Sequence, residues 1–252
     1  MLKRKAVGMV AETLASSGDV FSRDDDLELV GDAIPFGLKL YESLLDSAPT
    51  NKDLLIATCS NFTQYGVAYV ETEALVLGEA QHHDEVVHLN ERALKLYLRA
   101  KGYCERAIEV RFPGIMQKLP ADPVGALAKA EKKDVPLLYW MAASWGSAIA
   151  LGVDRPDLVI DMPTVRALAE RAIALDETWS RGTLHEMFVS LDSLPPALGV
   201  VVPAQDRAEY EKLLNEALAI DPAKDPSNQL VALVQQRRAR ALLDQIDIRI
   251  PK

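Results

Sequence analysis

Three stretches of the 252-residue chain close with one rhythm: Gly37, Tyr41, Leu44, Pro49; Val165, Ala169, Ala172, Glu177; and Tyr210, Leu214, Ala217, Pro222. In each, small or apolar residues recur four and seven positions after the first, which places them on one helical face. A pair of such helices cannot bury its apolar face alone and must stack on the next pair. The rhythm therefore predicts an all-α chain of stacked hairpins around one continuous core. At 49% hydrophobic and 26% charged, the chain has enough apolar content to fill that core as a single domain over residues 1–252.

The pattern resembles the second half of a tetratricopeptide repeat. YEKLLNEALAIDP is the best copy, and ALAERAIALDE keeps the rhythm with Glu177 in place of proline. The copies are degenerate and unevenly spaced, so the expected fold is an irregular tetratricopeptide-like superhelix. Asp122–Pro123 and Asp225–Pro226 each read as an N-cap followed by proline at the first helical position, and Asp134 with Pro136 is a variant. Helices are expected to start near 122, 135 and 225. Others are expected at about 4–17, 24–48 with a kink at Pro35, 51–77, 84–111, 163–175, 178–193 and 204–219. SLPPALGVVVPAQD, from Ser193 to Asp206, reads as a connector or a short extended segment, because the prolines continue neither helix. At the C-terminus, Ile246, Ile248 and Ile250 alternate with polar residues, which suits an edge or a groove.

With 28 basic and 37 acidic residues, the net charge is −9 and opposes a phosphate backbone, so no nucleic-acid partner is expected. Cys59 and Cys104 lack CxxC or metal-ligand spacing and read as two buried thiols rather than a disulfide. MLKRKAVGMVAETL starts basic but has no long apolar run or small-residue cleavage site, which leaves a cytoplasmic chain or a signal removed ahead of Met1. Val135–Val153 carries no charge, and Ala142, Ala143, Gly146 and Ala150 form a small-residue stripe. The run barely reaches spanning length in an otherwise charged chain, so a buried helix is preferred to a membrane span.

Catalytic chemistry finds little support. His82, His83, Asp84, Glu85 and His88 contain neither HExxH nor histidines four apart, and read as a solvated helix start without metal. The acidic triplet Asp24, Asp25, Asp26 reads as a helix cap, because it lacks the spaced oxygens of a calcium loop. His185 and Glu186, with Asp192 two turns on, could form a base pair, yet no nucleophile motif accompanies them. No enzyme activity, cofactor or metal is expected. The aromatic residues are more informative. Phe62 and Tyr65 flank a face where the repeat register places Asp53, Ile56, Ser60, Thr63 and Gln64, and Tyr139, Trp140 and Trp145 lie on the charge-free helix. Tyr65, Trp140, Trp145 and His185 are expected to border one ligand cavity, with Gln64 or His185 reading a polar end.

Long segments carry a more specific resemblance: FSRDDDLELVGDAIPFGLKLYESLLDSAP, LLIATCSNFTQYGVAYVETEA, YCERAIEVRFPGI, VPLLYWMAASWGSAIAL, TLHEMFVSLDSLPPALG and PAQDRAEYEKLLNEALAIDP. Together they resemble the T component associated with TRAP transporters. The resemblance implies a periplasmic protein with an N-terminal lipid anchor, beside a solute-binding protein. It also implies a homotrimer whose protomers each carry a cavity or pore, and the apolar, aromatic walls expected above would suit a small, partly apolar organic solute. The sequence departs from that pattern in lacking the lipobox cysteine, so any membrane attachment would be through an anchor outside this sequence. It departs again between Leu198 and Pro203, where the family usually carries another helical segment. The alternative function is a generic tetratricopeptide adaptor that binds a peptide or protein in its concave groove.

Overall fold

The computed structural model describes residues 18–192 and 207–249. The helix expected at 4–17, the connector Ser193–Asp206 and Ile250 lie outside the described residues. Among the described residues the fold is all-α. Its long helices are α1 (Leu27–Ser47), α2 (Lys52–Tyr65), α3 (Glu79–Arg111), α4 (Val135–Leu151), α5 (Met162–Leu175), α6 (Thr183–Asp192), α7 (Arg207–Ala219) and α8 (Gln229–Asp244). The three repeat tails fall on α1, α5 and α7. Tyr41, Val165, Ala169 and Ala172 are buried, whereas Tyr210, Leu214 and Ala217 are only half-buried.

Local chemistry sets the boundaries. Asp26 caps α1 by accepting from Leu29 N–H at 2.9 Å, so the acidic triplet starts a helix. Asn51 caps α2 in the same way, and Asp122 caps Pro123–Leu127 through Gly125 N–H at 2.9 Å. α1 runs on through Pro35. α3 begins before the expected 84, with His82 out of helical geometry near its start. The start expected near 225 is instead a pair of 3₁₀ turns, Pro222–Lys224 and Pro226–Asn228, before α8 opens at Gln229. Two prolines four residues apart make tight turns there before a regular helix can run. The helix expected from 178 starts at Thr183, because Ser180, Arg181 and Gly182 have φ of 48°, 60° and 88° and cannot sit in a right-handed helix. The C-terminal alternation is also corrected. Ile246–Arg249 forms a separate helical turn after α8 ends at Asp244, with Ile246 buried, since three alternating residues are too few to impose an extended strand.

α2, α3 and α4 pack at the centre, and α5 closes on α4. Tyr97, Leu55, Leu138, Met141 and Leu168 are all within 1% of full burial there. No described helix is long and apolar enough to cross a membrane. α4 instead buries Ala142 and Gly146, although Ala150 faces solvent. A Cβ on Gly146 would stand 3.4 Å from both Leu191 Cδ2 and Val165 Cγ1. Gly146→Leu is therefore expected to overpack this contact by about 2 kcal/mol. An unchanged thermal midpoint in that variant would show that the face is not packed.

The two cysteines are bonded, which corrects the reading of free thiols. Cys59 on α2 and Cys104 on α3 form a disulfide with Cα atoms 5.5 Å apart, and both residues are fully buried. Spacing along the chain could not reveal this, because only the packing of α2 on α3 brings the two sulfurs together.

Candidate functional site

α2 does not end at Tyr65. It continues as a π-helical turn, Gly66–Glu71, and then as Thr72–Leu77. A Cβ on Gly66 would lie 2.6 Å from the Tyr97 ring, so glycine lets α2 press onto α3 where the helix widens. The wide turn leaves the Val67 carbonyl to accept from the Thr72 hydroxyl at 2.7 Å. Arg238 of α8 reaches the same place, donating to Thr72 Oγ1 at 3.0 Å and to Glu71 Oε1 at 3.1 Å. Glu71 also accepts from the Tyr97 hydroxyl at 2.6 Å. Burial of Tyr97, reinforced by the Glu71 charge, raises its pKa well above the usual value and keeps it a neutral donor. Beside this network Arg237 pairs with Glu73, and Gln245 donates to the Leu75 carbonyl.

These contacts seat α8 across Thr72–Leu77 and leave a groove of about 840 Å³ between them and the start of α3. Its walls are apolar at Ala74, Leu75, Leu77, Val86, Ala241 and Leu242, and polar at Gln81, Asn90, Arg240 and Asp244. Glu71 and Arg238 stand in its lining already committed to each other. Arg240 and Asp244 are exposed and have no ion pair among the described residues. The groove is an open surface hollow that combines apolar and polar walls. A second hollow of about 470 Å³ lies between α1 and α3 and is more polar. In it Glu42 accepts from Lys39 and the Tyr103 hydroxyl, each at 2.6 Å, and pairs with Arg99. Burial pushes the Glu42 carboxyl up, but these donors hold it below the usual range.

Neither hollow is lined by the aromatic residues singled out in the sequence. Phe62 is buried, stacked on Tyr103 with centroids 5.8 Å apart and covered by Arg99. Tyr65 stacks on Tyr69 and accepts from Arg92 at 3.3 Å. Gln64 is exposed and bonds back to the Ser60 carbonyl. Ser60 and Thr63 are buried and donate to carbonyls of their own helix, so much of the supposed groove face packs inward. Tyr139, Trp140 and Trp179 pack ring on ring, with centroids 4.8 Å apart in both contacts made by Tyr139. Burial first, and Glu186 second, raise the Tyr139 pKa to about 12. Trp145 lies apart from them, beneath Lys101 at 4.1 Å. His185 and Glu186 are exposed, and His185 Nε2 is 3.4 Å from Glu177. The Asp192 side chain lies outside the described residues. Among the described residues no cluster of histidine, cysteine and carboxylates is arranged to hold a metal.

The arginines and glutamates around the groove were missed. Their signal was the RRAR run at 237–240 and the acidic VETEA at 70–74, a basic and an acidic stretch far apart in sequence.

What these elements define is a helical scaffold with surface hollows, in which most charged side chains are held by partners. The family profile described as TRAP transporter T-component matches residues 23–199 and 196–248, and the chain belongs to that family. The two matched stretches meet inside the Pro-rich connector. The chain is also 29% identical to an uncharacterized protein of Treponema pallidum (strain Nichols), over 96% of this chain and 90% of the relative. The family's role is that of a transport accessory protein, and it is not known as an enzyme.

Proposed function

We propose that this chain is a non-enzymatic, periplasmic accessory protein of a TRAP-type transport system. It docks the system's solute-binding protein and offers the α8 groove to a small, partly apolar organic solute. Family membership over most of the chain carries this reading. The buried Cys59–Cys104 disulfide supports an oxidising compartment outside the cytoplasm. The groove suits a solute with an apolar body against Leu75, Val86 and Leu242 and a polar end at Asn90, Arg240 or Asp244. Attachment to the membrane is through a lipid anchor, and the working form is a homotrimer. Light scattering is expected to return about three times the 27.7 kDa protomer mass.

The groove is tested by native mass spectrometry of protein purified from cells that contain the transport system. The parent is expected to carry a small-molecule adduct. Ala80→Trp, which fills the groove from an exposed position, is expected to lose it with an unchanged thermal midpoint. Equal adduct occupancy in parent and variant would remove the groove as the solute site.

A further inference from the structure

α3 carries a ladder of three arginines, Arg92, Arg99 and Arg106, each seven residues from the next. Seven residues make two helical turns, so the three side chains leave one face at intervals of about 10.5 Å. Each guanidinium lies over a ring: Arg92 over Tyr65 at 5.8 Å, Arg99 over Phe62 at 5.1 Å and Arg106 over Tyr103 at 5.6 Å. The rings are themselves held, because Tyr65 stacks on Tyr69 and Phe62 on Tyr103. A guanidinium laid on a fixed ring is oriented before it binds, and its free N–H groups match the two oxygens of a carboxylate. All three arginines are exposed, and Lys95, also exposed, stands on the same face between the first two. Gly102 stands between the last two, and a Cβ built there meets nothing within 4 Å. Packing among the described residues therefore gives no reason for glycine inside this helix. A second backbone passing close along the ladder supplies one.

The ladder is short of acids, on a chain that is acidic as a whole. Arg99 pairs with Glu42, whereas Arg92 donates to the Tyr65 hydroxyl and Arg106 to the Pro49 carbonyl. Arg92, Lys95 and Arg106 meet no carboxylate among the described residues. Segments 1–17, 193–206 and 250–252 bring only Glu12 and Asp206, against Lys3, Arg4, Lys5 and Lys252, so they hold no acidic run to neutralise the ladder. A second copy does not match the spacing, since no described helix has carboxylates at three successive positions seven apart. We infer that Arg92, Arg99 and Arg106 form the face that docks the solute-binding protein, through a helix of that protein whose carboxylates recur every seven residues. The inference rests on the role proposed above and gives it a place. Such a helix lies along α3, approaches closely at Gly102, and sets one carboxylate beside Arg92 and another beside Arg106. On a chain at −9 this face also steers an acidic partner to one orientation.

Calorimetric titration of the full chain against the purified solute-binding protein of its own system, at two salt concentrations, tests this face. The parent is expected to bind more weakly at the higher salt. Arg92→Glu with Arg106→Glu is expected to weaken binding by at least about tenfold. Gly102→Glu separates docking from folding, because its side chain enters open space and brings a carboxylate within helical reach of both Arg99 and Arg106. It is expected to keep or raise the parent's thermal midpoint, to weaken binding by about tenfold and to flatten the salt dependence. Parent-like binding by Gly102→Glu overturns the assignment while leaving the docking role intact, whereas no binding by the parent removes both. A smaller light-scattering mass for Gly102→Glu alone would place the ladder between copies. Binding to phosphatidylglycerol vesicles by the parent and not by Gly102→Glu would make it a lipid surface. Either result overturns the inference.

Discussion

Cys59→Ala combined with Cys104→Ala is expected to cost about 4 kcal/mol, the largest effect of any change considered for this protein. The bond closes a loop with a sequence separation of 45 residues, and loop-closure entropy alone gives that figure. It joins α2 to α3 at the centre of the core, where both side chains are fully buried. Reduction of the parent should lower the midpoint of chemical unfolding by a similar free energy, and the double variant should not respond to reductant. If the double variant unfolds at the parent's midpoint, the bond contributes nothing and the argument for an oxidising compartment weakens with it.

The second large effect is expected at Asp134. Its carboxylate takes a two-pronged bond from Arg111, with Nε to Oδ1 at 2.7 Å and Nη2 to Oδ2 at 3.0 Å, and accepts from Glu131 N–H at 3.0 Å. The pair ties the end of α3 to the start of α4. Asp134→Ala leaves the Arg111 guanidinium over Phe112 with only the exposed Glu131 carboxylate, 3.6 Å away, and should cost about 3 kcal/mol. That is the low end for a broken buried pair, since Arg111 keeps a quarter of its side chain in water. Burial pushes the Asp134 carboxyl up, but the hydrogen bonds from Arg111 and Glu131 and the Arg111 charge hold it below its ordinary value. A carboxyl depressed in the folded state contributes stability above its unfolded pKa of about 4, and that contribution fades as pH falls through the lower folded value. Glu42 acts in the same direction. The parent's thermal midpoint should therefore fall steeply below about pH 4, and Asp134→Ala should flatten part of that fall. Parallel acid limbs in parent and variant would show that Asp134 does not drive it.

Most helices were legible because their signals are local. Asp122 followed by Pro123 caps and starts a helix, whereas Asp225 followed by Pro226 opens only a 3₁₀ turn, and the charge-free run from Val135 could be read as buried from its length and its neighbours. The family was legible for another reason: long matched segments in order carry more information than any single motif. The missed features depend on residues that meet only after folding. Arg238 and Glu71 are 167 positions apart, and nothing in either local sequence says that α8 crosses the π-helical turn. Cys59 and Cys104 are hidden in the same way. Phe62, Tyr139 and Trp140 are large enough to line a cavity, and only the folded chain reveals the ring-to-ring packing that holds them.

The central proposal is that this chain works by direct association with the solute-binding protein of a TRAP-type system. Size-exclusion chromatography with light scattering, on the two purified proteins mixed at tens of micromolar, tests it most directly. The account predicts a new species whose mass exceeds that of either protein alone and equals a whole-number combination of the two. Two separate peaks, each at its own unmixed mass, would contradict it.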